Sequence, residues 1–86
     1  MTKMRAKLRV GSVIANQHEG VTTSERLVFH GVAKSDGYGD DGIDENNTFA
    51  RYSPSVLLDM NVANPALFGK FAPGDTFYVD FTPVAA

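Results

Sequence analysis

Strict alternation of apolar and polar residues, repeated in three segments, constrains this chain more than any other feature of its sequence. Residues 4–10, 56–62 and 77–81 each carry an apolar side chain at every second position. Successive side chains of a β-strand point to opposite faces of the sheet, so this period gives each strand one apolar face. The pattern therefore predicts half-buried strands.

The first half of the chain reads as two strands joined by a polar loop. Gly11 interrupts the first alternation and predicts a bulge, and residues 16–20 are predicted to form the hairpin loop. Residues 21–32 form the second strand, with Leu27 and Phe29 on one face and further apolar residues on the other. A strand that is apolar on both faces is central or is covered on one side, and its register stays open.

The last quarter reads as a helical turn, a tight turn and a closing strand. Asn64 is a good N-cap, and Pro65 suits the first helical position, where its missing N–H costs nothing. Phe77, Val79 and Phe81 alternate in the closing strand, which we expect to be central to stability. Residues 48–52 are predicted to add a short strand.

These elements predict an all-β fold. A chain of 86 residues has room for one domain, so residues 1–86 form a single small β domain. We expect a small curved antiparallel sheet or a partly closed barrel of four or five strands, with the short helical turn as its plug.

Composition excludes several function classes. The chain has no Cys, so disulfides and thiolate metal sites are excluded. The net charge of −2 differs from the basic balance of dedicated duplex-binding proteins. No apolar run approaches the length of a membrane span. His18 and His30 lack the spacing of a metal site, and we predict neither a metal nor a cofactor.

Three cations form a basic stripe on the first strand: Arg5, Lys7 and Arg9. They share one strand face and are the first candidate binding residues, for phosphate or for an acidic partner surface. The alternative is a solvated strand face on which these cations pair with Asp59, Asp80 or Glu25 of neighbouring strands. The acidic net charge favours contact with a protein over contact with nucleic acid.

Residues 34–47 form a long acidic loop that is rich in Gly. We predict that this loop is flexible and solvated, because long loops inside small domains are usually functional or disordered. It is the second candidate contact element, through Asp36, Tyr38, Asp40, Asp41, Asp44 and Glu45. The spacing of its carboxylates does not match a calcium loop.

Two further patterns are relevant to the binding of nucleotides. Gly37, Gly39 and Gly42 match a dinucleotide-binding spacing, but the acidic residues around them would repel a pyrophosphate. Tyr52, Tyr78 and Phe49 could stack on bases, although most aromatic residues of so small a domain belong to its core.

Two parts of the chain resemble a family of short proteins from tailed-phage genomes. The resemblance lies in residues 4–13 and in the last third, in Asn64-Pro65-Ala66, Phe71, Pro73-Gly74 and Phe77-Tyr78-Val79-Asp80-Phe81-Thr82-Pro83, with Ser53-Pro54-Ser55 between them. It implies a phage setting and implies no reaction. It carries over no catalytic or binding residue.

Together, these observations favour a non-enzymatic phage protein that acts by protein–protein contact. We expect a virion component such as a capsid cement or decoration subunit, with other phage structural proteins or further copies of itself as partners. The alternative is a small barrel that binds single-stranded nucleic acid or a nucleotide, in host takeover or counter-defence. The expected location is the virion, or the host cytoplasm during infection.

Overall fold

The computed structural model describes residues 4–85. Their four strands form one curved antiparallel sheet. Its strands are β1 (Met4–His18), β2 (Val21–Gly31), β3 (Leu57–Val62) and β4 (Thr76–Phe81), in the order β3-β2-β1-β4. The all-β prediction is confirmed. The sheet is not closed into a barrel, because β3 and β4 lie at opposite edges and do not pair with each other.

The β1–β2 hairpin explains two features of the sequence. The register shifts between Val10 and Ser12, which confirms the bulge at Gly11. A Cβ atom at Gly11 would lie 2.6 Å from the His30 ring, so any other residue there would require that ring to move. The predicted loop at 16–20 is wrong, because β1 runs to His18 and the turn is the dipeptide 19–20. Both turn residues have positive φ, which matches the right-handed twist of a two-residue hairpin.

One face of the sheet carries the hydrophobic core. Its buried residues come from the two central strands: Ala6, Leu8 and Val10 of β1, and Leu27 and Phe29 of β2. The segment 63–75, which joins the two edge strands, passes over this face. Its Phe71 ring packs edge-on against Phe29 and lies 5.2 Å from the Phe77 ring. The register left open for β2 is thereby fixed, with Leu27 and Phe29 inward.

The helical turn forms as predicted but does not act as a plug. Pro65–Leu67 is a single 3-10 turn, and the Asn64 side chain accepts a hydrogen bond from the Ala66 N–H at 3.1 Å. No residue of the turn is buried. An open sheet has no barrel interior for the turn to fill. The predicted short strand at 48–52 is reduced to one isolated bridge between Ile43 and Arg51.

The closing strand contributes less to the core than expected. β4 is an edge strand, and the side chains of Phe77 and Val79 are only half-buried. Phe81 is 51% exposed because it lies opposite Met4, near the end of the sheet, where Met4 is itself exposed. The expectation that Phe81 is central to stability is therefore wrong.

The molecule is thin and extended for its mass. Its principal extents are 54 × 35 × 16 Å, and its radius of gyration is 15.7 Å, where about 12 Å is typical of a compact domain of this length. Its accessible surface is 6116 Å², roughly a fifth more than the ~5000 Å² expected for a folded monomer of this mass. One sheet covered by one segment thus leaves much of the chain's surface in water.

We expect Leu27→Ala to lower the free energy of unfolding by about 2–5 kcal/mol, because Leu27 is fully buried and its truncation leaves a cavity. Phe81→Ala should cost about 1 kcal/mol, because half of that ring is already in water. Urea denaturation followed by circular dichroism measures both. Equal losses for the two variants would contradict this placement of the core.

Candidate functional site

A buried amide joins the acidic loop to the two central strands. β2 ends at Gly31, opposite Leu8, so the first residues of β1 have no strand on that side. The Asn47 side chain takes the place of the missing strand. The Asn47 Oδ1 accepts the Lys7 N–H at 2.8 Å, and the Asn47 Nδ2 donates to the Val32 carbonyl at 2.8 Å. Asn47 is fully buried, and both polar atoms of its side chain are satisfied.

Thr48 continues this substitute pairing along β1. Its N–H donates to the Arg5 carbonyl at 2.9 Å, and its Oγ1 accepts the Arg5 N–H at 2.8 Å. Residues 47 and 48 therefore satisfy backbone groups of β1 that would otherwise lie open to water. The loop is thus attached to the sheet by the same kind of bonds that join the strands.

Asp44 holds the Asn47 amide in position. Its carboxylate accepts the second Nδ2 hydrogen of Asn47 at 3.0 Å and the Asn46 N–H at 2.8 Å. Burial disfavours the charged form of this carboxyl. Hydrogen bonds from Asn47, Asn46 and the Lys34 backbone outweigh that effect and hold the pKa of Asp44 below its usual range. We name Asp44, Asn47 and Thr48 the polar junction.

The polar junction corrects the prediction of a solvated acidic loop. Asp44 is fully buried and cannot be an exposed contact residue, because its oxygens are used inside the molecule. Tyr38 is half-buried, and its ring packs edge-on against Tyr52. The other four predicted contact residues are exposed: Asp36, Asp40, Asp41 and Glu45.

Tyr52, which follows the acidic loop in sequence, is held over Gly42 by hydrogen bonds to the loop backbone. The Tyr52 N–H donates to the Gly42 carbonyl at 2.7 Å, and the Tyr52 hydroxyl donates to the Asp40 carbonyl at 2.7 Å. A Cβ atom at Gly42 would lie 2.7 Å from the Tyr52 ring, and Gly42 has a φ of 71°. Glycine is therefore required at this position. Tyr52 is occupied in the loop and is not a free stacking platform.

The basic stripe lies on the face of the sheet opposite the core, as predicted, and one of its members is paired. Arg5 lies opposite Asp80 of β4, with Nε–Oδ1 at 2.6 Å and Nη2–Oδ2 at 3.1 Å. The Arg5 guanidinium also covers the Tyr78 ring at 4.6 Å. Its charge is compensated by Asp80, one of the partners that the solvated-face alternative named.

Lys7 and Arg9 form no ion pair within the described residues. Lys7 is half-buried opposite Tyr78, and Arg9 is exposed opposite Thr76. Arg9 and His30 border a shallow depression of about 400 Å³, whose floor is backbone around the bulge and residues 31–33. The stripe is thus reduced to Lys7 and Arg9, two cations without an ion-pair partner in the described residues.

A second bidentate pair stabilises the same face. Arg26 of β2 lies beside Asp59 of β3, with Nε–Oδ1 at 2.9 Å, and this contact lowers the pKa of the Asp59 carboxyl. The remaining two aromatic candidates, Tyr78 and Phe49, are partly exposed, and the Tyr78 hydroxyl donates to Asn46 Oδ1 at 3.1 Å. Cations and carboxylates therefore alternate over much of this surface.

No protein-family model, curated protein or solved structure matches this chain. Across the part of the chain that the structure describes, no three His, Asp or Glu side chains are arranged to hold a metal ion. No helix in that part is long and apolar enough to span a membrane.

Replacing the junction amide tests its structural role. Asn47→Ala leaves the Lys7 N–H and the Val32 carbonyl without the Asn47 amide and removes one hydrogen bond to the Asp44 carboxylate, and we expect a loss on the order of 3 kcal/mol in the free energy of unfolding. Asn61→Ala, at an exposed amide of β3, is the matched control and should be near neutral. A similar small effect of both variants in urea denaturation would show that the loop is only loosely attached.

The polar junction should also make stability depend on pH. Because the folded pKa of Asp44 is depressed, its contribution is present above about pH 4, the unfolded value, and is lost as the pH falls through the folded pKa. Asp44→Asn should therefore be less stable than the native chain at pH 7, with a difference that shrinks as the pH falls below about 4 and through the folded pKa. Asp40→Asn, at an exposed carboxylate, should keep the native pH profile. Parallel profiles for all three proteins would contradict the assignment.

Proposed function

We propose that this chain is a non-enzymatic subunit that acts by protein–protein contact, as a component of a phage virion such as a capsid cement or decoration subunit. Its partners are then other phage structural proteins or further copies of itself. Its location is the virion, or the host cytoplasm during infection.

The large exposed surface is the observation that carries this proposal. A single sheet with a 16 Å smallest extent has five buried apolar residues in its described part. Many large apolar side chains of both faces remain in water: Met4, Ile14, Val21, Leu57, Met60, Leu67, Tyr78 and Phe81 are each more than 40% exposed. A subunit of an assembly can leave such residues for its neighbours to cover.

The firm attachment of the acidic loop supports the same proposal. Most of its carboxylates are exposed, while the polar junction fixes the loop backbone to β1. Exposed charges on a fixed backbone suit selective contact with a basic protein surface, since little ordering entropy is lost on binding. Asp36, Asp40, Asp41 and Glu45 are the residues we assign to that contact.

The phage setting depends on the resemblance of the first strand and the last third to short tailed-phage proteins. The first strand and β4, where the resemblance lies, are paired with each other from Met4↔Phe81 to Arg9↔Thr76. The resembling residues of these two strands thus lie side by side in the sheet. This supports a shared structural unit, and it adds no catalytic residue.

Binding of single-stranded nucleic acid is the second candidate. Lys7 and Arg9 have no acidic partner in residues 4–85, and the half-exposed Tyr78 ring lies beside Lys7. A cationic surface beside an aromatic ring is the usual arrangement for binding single strands. Asp80 neutralises Arg5, however, and the net charge of −2 opposes phosphate binding.

One pair of measurements separates the two candidates. For a virion subunit, we expect the chain to copurify with particles at high copy number and to show no measurable binding of oligonucleotides at physiological salt. For the nucleic-acid candidate, the native chain must bind a labelled single strand with an affinity that falls steeply with salt and is lost in the double variant Lys7→Ala, Arg9→Ala. Lys70→Ala, at an exposed cation outside the stripe, is the control. Absence from particles together with salt-dependent binding would overturn the virion proposal.

A further inference from the structure

The outer edge of β1 is open over half of its length. β4 pairs with β1 from Met4 to Arg9, and the turn before β4 adds two hydrogen bonds to Val10. Beyond Val10, β1 continues to His18 with β2 on one side and no strand on the other among residues 4–85. The hairpin arm, residues 11–24, therefore presents a free strand edge.

The register shows which backbone groups lie on this edge. The Val32 N–H donates to Lys7 and the Gly31 N–H donates to Val56, so the even-numbered residues of β2 face β1. Their partners beyond the bulge are Ser12↔Val28, Ile14↔Arg26 and Asn16↔Ser24. The intervening residues of β1, which are Val13 and Ala15, consequently direct their N–H and C=O groups to the open edge, and a second register shift follows them between Asn16 and Gln17.

This edge lacks the devices that usually prevent strand pairing. Residues 10–17 contain no charged residue and no Pro, and their only glycine is at the bulge. The edge strands β3 and β4 each carry a carboxylate, Asp59 and Asp80 respectively. Natural sheet edges are generally protected by charge, Pro or shortness, and an unprotected extended edge serves to pair with another strand.

We propose that the open edge of β1 pairs with the same edge of a second copy of this chain, antiparallel and two-fold symmetric about Ala15. This inference rests on the proposed function, since it names the contact by which the subunit assembles. Ala15 then lies opposite the partner's Ala15, and Val13 lies opposite the partner's Gln17. The small side chain on the axis lets the two backbones approach without a clash.

The length of the edge and its flanking charges favour a second copy as the occupant. The open edge is limited at one end by the turn at Gly74, which bonds Val10, and at the other by the hairpin turn. Two such edges of equal length fill each other when Ala15 is on the axis. The same register brings Glu19 level with the partner's Gly11, close to the partner's Arg9, which is a cation without an acidic partner in its own described residues.

The surface of the chain is large enough for such a dimer. The excess over a compact monomer, roughly 1000 Å² per chain, is close to the ~800 Å² per partner of a standard stable interface. Ile14, which is 51% exposed, lies on β1 next to Ala15 and would adjoin the second copy. Pairing would also join two four-stranded sheets into one continuous sheet.

Cross-linking at the axis tests the pairing directly, because the chain has no Cys of its own. Opposite residues of a hydrogen-bonded antiparallel pair have Cα atoms about 5.5 Å apart, within the range of a disulfide. We expect Ala15→Cys to form a covalent dimer on mild oxidation, and Thr23→Cys, exposed on the other strand of the arm, to remain monomeric. Equal cross-linking of the two variants, or none at Ala15→Cys, would overturn the proposal.

Charge complementation provides a second test that does not depend on oxidation. Ala15→Lys and Ala15→Glu each place two like charges on the axis and should abolish the dimer in analytical ultracentrifugation. An equimolar mixture of the two should restore it as a heterodimer, whereas Thr23→Lys should dimerise like the native chain. A native chain that sediments as a monomer at its highest soluble concentration would overturn the pairing. A dimeric chain that is absent from virions would instead overturn the virion function and leave the pairing intact.

Discussion

The attachment of the acidic loop to β1 by a buried amide is the interaction on which the arrangement of this protein depends. Where β2 leaves the sheet, the Asn47 side chain and Thr48 replace the missing strand and satisfy the backbone of Lys7 and Arg5. Without them, the backbone groups of Arg5 and the N–H of Lys7 would lack these partners on the edge of β1 that faces away from β4. β4 pairs only with this part of β1, so its position depends on the same bonds.

The polar junction also divides β1 into two parts, one paired on both edges and one paired on a single edge. On the side of β4, β1 is paired on both edges, by a strand and by the loop. On the side of the hairpin turn, β1 has β2 as its partner and water on the other edge in the described structure. The region that is paired on both edges thus supports an extended arm, and the arm carries two of the exposed apolar residues, Ile14 and Val21.

The sequence predicted the strands well because their alternation has a direct physical cause, the opposite faces of a pleated sheet. Gly11 and Asn64 were also predicted correctly, since a bulge and an N-cap are local. The role of Asn47 was missed, because its three partners lie in β1, at the end of β2 and in the loop itself. Two Asx turns, from Asp41 to Ile43 and from Asp44 to Asn46, were the local signals that the loop is ordered.

The bulge at Gly11 has a consequence for how the hairpin arm can change by mutation. Before the bulge the even-numbered residues of β1, such as Leu8 and Val10, face the core, and beyond it the odd-numbered Val13 takes that side while Ile14 faces away. Deleting Gly11 would remove the bulge and leave Val13 and Ile14 on the faces that they now occupy. A further residue inserted here would instead turn the arm over, with its inner side chains outward, so the length of this short stretch controls the surface chemistry of the arm independently of the domain that carries it.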